Sequence, residues 1–279
     1  MKNAIYSTHI ISLFAIVTVG NAILSLRFSD INIFTFFLCS CAFSVLLYFG
    51  SFKLIQSCQN HKYILAGMCV LICCLAVVNI AITIYDFYSF LSSVQMPQCN
   101  HMLLLIVVLC TTGIFAAFRI SAVYKYCLLT GVLIATIIIL CFVAGIKNYD
   151  ISSVGQLVAE DVFSLKIFLK YFSSFFVFPL LFYWQQQNVS FKIVFLGTLS
   201  GFVALIFISC QTIFTLGNSS HNFDYLRAVS TISTSGLFSR LDGLTFFVCF
   251  ATCIIKITLL IKAILSSANR IIRKTPDHI

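Results

Sequence analysis

Apolar positions along this chain neither alternate nor keep to one helical face. They fill whole stretches, and short polar breaks separate them. Eight such stretches stand out, at about 8–26, 33–56, 63–92, 102–118, 121–145, 163–184, 191–217 and 238–265. At 1.5 Å per helical residue each is long enough to cross about 30 Å of hydrocarbon. The last stretch is the most telling. Thirteen uncharged, mostly apolar residues lie between Asp242 and Lys256, and a cation and an anion, Arg240 and Asp242, stand two positions apart just before them. A helix that is apolar all round belongs in lipid or deep in a bundle. The pattern therefore predicts an all-α, polytopic transmembrane helix bundle, one integral-membrane domain over 1–279. The Arg240–Asp242 pair is expected either to anchor the helix at the interface or to form a polar lock between helices.

Composition removes the alternatives. The chain has 279 residues, of which 61% are hydrophobic and 9% charged, more apolar surface than a water-soluble domain can hide. The net charge of +9 could suggest a nucleic-acid partner, but no basic segment is interleaved with aromatics outside the apolar stretches, so none is expected. Most of the 13 cysteines, including Cys69, Cys110, Cys141, Cys249 and Cys253, lie within apolar runs, where they serve as small hydrophobes. No CxxC pair stands near a histidine at metal spacing, so neither a metal nor a cofactor is expected. His9, His61, His101, His221 and His278 are scattered toward helix ends and loops. No cluster of His, Asp and Glu converges, so catalysis is not expected.

The basic residues set the expected topology. With the N-terminus inside, Lys2, Lys53, Lys62, Arg119, Lys125, Lys192, Arg270, Arg273 and Lys274 fall at inner ends, and Arg27, Lys147 and Arg227 fall outside. That bias places both termini in the cytoplasm. The first span has a weak basic start and no small-residue cleavage site, and reads as a retained span. The segment 146–162 reads as a polar loop, and 218–237 as an exposed loop with a short interfacial helix. Asn218-Ser219-Ser220 forms a glycosylation triplet on the outer side.

Three places within the spans could carry chemistry. Thr18, Gly20 and Asn21 lie in the first span. A Gly-Asn pair weakens a helix, and a break there would offer bare N–H and C=O groups to a small ligand. Alternatively, Gly20 lets a neighbouring helix approach and Asn21 bonds to it. Asp86, set in Tyr85-Asp86-Phe87-Tyr88, is either an interfacial carboxylate or a ligand or proton site. Ser173 and Ser174, followed by Pro179, mark an ordinary kink or a second weak helix, five spans after the first.

Taken in order, four segments carry a resemblance. They are Thr18–Leu24; Phe90-Leu91 through Met96-Pro97; Asn148-Tyr149-Asp150-Ile151-Ser152-Ser153-Val154; and Phe238-Ser239-Arg240-Leu241-Asp242-Gly243-Leu244. Together they resemble the spore germination permease family, the B subunits of GerA-type germinant receptors within the amino acid–polyamine–organocation transporter superfamily. Two positions depart from the family pattern. Where the fifth helix would show a glycine and an acid, this chain has Arg119 to Lys125, and no acidic residue stands near Pro179. The resemblance implies a LeuT-like inverted repeat lacking its last two helices. It also implies a membrane subunit in a bacterial spore's inner membrane that senses a small nutrient such as an amino acid and signals to A-type and C-type partner subunits. Thr18, Gly20, Asn21, Asp86, Ser173 and Ser174 would face the ligand. The alternative is an amino-acid or solute permease with alternating access.

Overall fold

The computed structural model describes residues 2–25, 42, 62–93, 100–150, 191–217, 224–232 and 241–273. Among the described residues there are helices and no strands. In chain order they are α1 (Lys2–Ser25), α2 (Lys62–Ser93), α3 (His101–Ala117), α4 (Ile120–Gly145), α5 (Phe191–Leu216), α6 (Asp224–Thr231) and α7 (Leu241–Arg273), with a 3-10 turn, Ile146–Asn148, after α4. The expected spans at 33–56 and 163–184 lie outside the described residues. Among the described residues, four stretches are long and apolar enough to cross a membrane: Ala66–Ser92, Ser121–Asn148, Phe191–Leu216 and Gly243–Asn269. The protein is thus a helical integral membrane protein.

The helix ends follow local rules. Asn100 caps α3, its side-chain oxygen accepting the Met102 N–H at 3.1 Å. Only Phe118 and Arg119 separate α3 from α4, a corner that falls between the expected spans 102–118 and 121–145. After α5 the chain turns at Gly217, whose φ of 63° lies in the left-handed region where a side chain would be strained, and its N–H closes the helix on the Ile213 carbonyl at 2.9 Å. The described start of the polar connection after α4, residues 146–150, is strapped down. Tyr149 lies against Phe142 and Phe214 and donates its hydroxyl to the Phe142 carbonyl at 2.7 Å, while the Asp150 N–H reaches the Phe214 carbonyl at 2.9 Å.

Two helices organise the rest. The first is α7, in contact with α1, α2, α3, α4 and α6, and each residue from Ala251 to Leu260 in it is buried. The other is α1, which lies longest against α5 and also touches α4 and α7. Since lipid tails are as apolar as leucine, these contacts cannot draw on the hydrophobic effect; close packing and polar ties must hold them. The α1–α5 contact shows how. Gly197 and Gly201, four residues apart on α5, present bare backbone to α1. A Cβ on Gly197 would lie 2.9 Å from the Phe14 ring, and one on Gly201 would lie 2.8 Å from the Thr18 Cβ.

Six hydroxyls in the helices satisfy themselves on their own helix. Thr18, Thr83, Thr198, Ser209, Thr212 and Ser267 each donate to the carbonyl four residues back, at 2.7 to 2.9 Å. Longer polar groups tie helices together. Ser12 on α1 donates to the Cys127 carbonyl on α4 at 3.0 Å, and Gln211 on α5 donates to the Cys141 carbonyl on α4 at 3.1 Å. The short helix expected within 218–237 is α6. It is not an exposed element: Tyr225, Ala228, Val229 and Ile232 at its core-facing positions are buried, and it lies against α5 and α7.

The first span decides between the two readings of its Gly-Asn pair. No break occurs at Gly20-Asn21, because α1 runs as α-helix from Lys2 to Ser25. Packing from the neighbour overrides the weak local propensity. A Cβ on Gly20 would lie 2.7 Å from the Thr252 Cβ, so α7 braces the helix at the very residue that would otherwise loosen it. Of the two readings of the Gly-Asn pair, the structure takes close approach and interhelical bonding.

Candidate functional site

The most demanding group in the structure is a lysine. Lys256 stands midway along the span Gly243–Asn269 and is 7% exposed. A charged side chain at such depth costs about 3 kcal/mol on insertion scales, so it persists only where the surrounding protein answers it. Part of the answer comes from α1. The Lys256 ammonium donates to the Asn21 side-chain oxygen at 2.7 Å, a bond that closes a sequence separation of 235 residues. Asn21 is itself 7% exposed. One residue before it, Gly20 allows α7 to come in against Thr252. The dipeptide thus does two jobs: glycine admits the helix and asparagine receives its charge.

Polar groups flank this contact on the α7 side. Thr245, Thr252 and Thr258 are buried, and Thr252 donates to the Cys249 carbonyl at 2.9 Å. Across from them runs α2, whose inward stripe reads Cys69, Ile72, Ala76, Asn79, Thr83, Phe87 and Phe90, all buried at three- and four-residue spacing. Phe87 packs on Phe250 with ring centroids 6.3 Å apart, and Phe90 on Phe246 at 6.1 Å. Asn79 and Thr83 lie on this stripe and bond to the carbonyls of Leu75 and Asn79. Asp86, three residues after Thr83, sits half-buried at the edge of the same stripe.

A second cation lies less than two turns further along α7. Lys262 donates to the Phe118 carbonyl at 2.6 Å. That carbonyl lies at the C-terminal end of α3, where carbonyls lack helical partners and carry the negative end of the helix dipole. Lys262 therefore caps a neighbouring helix.

The residues singled out from the sequence distribute as follows. Gly20 and Asn21 meet α7 at Thr252 and Lys256. Thr18 faces α5 through Gly201 and so turns away from that contact. Asp86 lies on α2, the helix packed most extensively on α7. Ser173, Ser174, Arg240 and the side chain of Asp242 lie outside the described residues, and so do the Pro179 kink and the Arg240–Asp242 pair. Lys256 was missed. Its signal was present: a cation midway along a span with no other charge between Asp242 and Lys262. Gly197-x-x-x-Gly201 was also legible as a close-packing motif. Comparison of the chain with protein-family models, curated proteins and solved structures finds no match.

Proposed function

We propose that the chain is a non-catalytic membrane subunit that senses a small nutrient such as an amino acid, of the kind formed by spore germination permeases. In this reading both termini lie in the cytoplasm, the membrane is a bacterial spore's inner membrane, and A-type and C-type subunits read the signal. The stretches 33–56 and 163–184 supply the remaining spans of an inverted repeat. The serial order of the four resembling segments supports the reading. The single observation that carries the site is the Lys256–Asn21 hydrogen bond, a buried charge held by a neutral amide between two helices. Ionisable groups at such depth mark functional positions by default.

Because α1 is unbroken, recognition falls to side chains rather than to bare backbone. A ligand oxygen that takes the place of Asn21 on the Lys256 ammonium releases α1 from α7. It favours one arrangement of the two helices over another by its differential affinity for them, and partner subunits read the shift. The test is nutrient-triggered germination of spores carrying Asn21→Leu, with membrane insertion measured in parallel. The substitution is expected to abolish the response while insertion stays at the wild-type level. A wild-type response would overturn the site. Uptake of labelled amino acid by proteoliposomes, unaffected by Asn21→Leu, would replace the sensor with a permease.

A further inference from the structure

The amide of Asn21 accepts a hydrogen bond from Lys256 but does not balance its charge. Among the described spans one acidic residue is present, Asp86 on α2. Its position relative to Lys256 follows from the ring contacts. Phe87 meets Phe250 and Phe90 meets Phe246, so three residues forward on α2 match four residues back on α7 and the two helices run antiparallel. Asp86 therefore stands level with residues 250 and 251 of α7. The Lys256 backbone lies about one and a half turns further along. Helical side chains lean toward the N-terminus of their own helix, so the long lysine stem extends back toward the level of Asp86. Asp86 borders the packed face between the two helices, following Thr83 by three residues and preceding Phe90 by four, and Lys256 is buried within the bundle on α7. Cys253, one turn before Lys256, lies within electrostatic reach of both charges.

We propose that Asp86 is the counter-charge of Lys256, so that Asn21, Lys256 and Asp86 form one clasp joining α1, α7 and α2. The clasp goes beyond the nutrient-sensing reading and does not depend on it, since it requires only these three helices. It gives Asp86 a definite role: the carboxylate lets a full positive charge reside inside the bundle, and it pins α2 to the same point on α7 that holds α1. Loss of the clasp's anion leaves an uncompensated buried cation, whereas loss of both charges leaves two neutral groups in a packed interface.

The experiment is a thermal double-mutant cycle on the full-length protein in detergent, with Asp86→Asn, Lys256→Met, their combination and Asp86→Glu. Each neutralising single is expected to lower the melting midpoint by roughly 10 °C. The double variant is expected to melt above both singles, short of wild type only by the Asn21 hydrogen bond that Lys256→Met also removes, and Asp86→Glu, which keeps the charge, to melt within a few degrees of wild type. If Asp86→Asn does not accumulate, its reappearance in the Lys256→Met background is the readout. Losses that add, an Asp86→Asn protein that melts like wild type, or a double variant that still fails to accumulate would each overturn the pairing. A failed germination test with an intact cycle would sink the sensor and leave the clasp standing.

Discussion

Helices α2 and α7 are alike in length and apolar character, yet they live in different surroundings. α7 has 33 residues and α2 has 32. Over an 18-residue apolar stretch of α7, 72% of residues are buried within the protein; over one of α2 the share is 28%. Val70, Leu71, Val77, Val78, Tyr85 and Tyr88 of α2 are exposed, and lipid is their natural neighbour. What separates the two helices is the placement of polar and small residues rather than the amount of hydrophobicity. α2 keeps Asn79 and Thr83 on its inward stripe and gives leucine and valine to the outside. α7 is buried throughout from Ala251 to Leu260 and carries buried hydroxyls at Thr245, Thr252, Thr258 and Ser267, with a buried ammonium at Lys256. In a membrane bundle the interior is marked by what lipid would refuse.

The sharpest way to break this contrast is to make one substitution in both settings. Gly20→Leu drives a side chain into Thr252 of α7, and Gly67→Leu on α2 meets nothing within 4 Å. The first is expected to abolish the folded species on size-exclusion chromatography in detergent, since overpacking on this scale costs 3 kcal/mol or more, roughly. The second is expected to leave the elution profile unchanged. Equal damage at both sites would mean that α2 has a partner on its outer face. A somewhat smaller effect comes from a cation on the rim. Leu71→Lys is expected to raise the insertion cost by about 3 kcal/mol, read as a reduced membrane-integrated fraction. Full integration would show that this face does not meet hydrocarbon.

Removing the cap at the end of α3 is milder. Lys262→Met leaves the Phe118 carbonyl without its donor, and a destabilisation of about 1–3 kcal/mol is expected in a denaturant titration. An unchanged midpoint would reduce that contact to a surface one. The gentlest probe uses native cysteines. Cys74 on α2 and Cys110 on α3 are exposed, and Cys249 and Cys253 on α7 are buried. A lipophilic maleimide is expected to label the first two in the folded protein and the α7 pair only after denaturation, with peptide mass mapping as the readout. Early labelling of Cys253 would place α7 at the rim.

Much of the helical layout was legible because length and polar punctuation are local. The expected stretch 63–92 is Lys62–Ser93 in the structure, 121–145 is Ile120–Gly145, and 191–217 is Phe191–Leu216. The corner at Phe118-Arg119 was visible as a single basic interruption. What could not be read was which apolar helix goes inside, because an all-round apolar helix suits lipid and bundle core equally. The continuity of α1 was hidden for the same reason. Gly20-Asn21 is a weak pair by local rules, and the support that overrides them arrives from Thr252 and Lys256, more than two hundred residues later. Lys256 first reads as the edge of an uncharged run, and only its contact with Asn21 makes it the centre of one.

The bond from Lys262 to Phe118 has a mechanical consequence. The ammonium of one rod holds the elbow where two others meet, so an axial slide of α7 pulls on the ends of α3 and α4. Lys262 follows Lys256 by six residues, about 9 Å along the same rod, so a disturbance that enters at Asn21 reaches that elbow through one continuous helix.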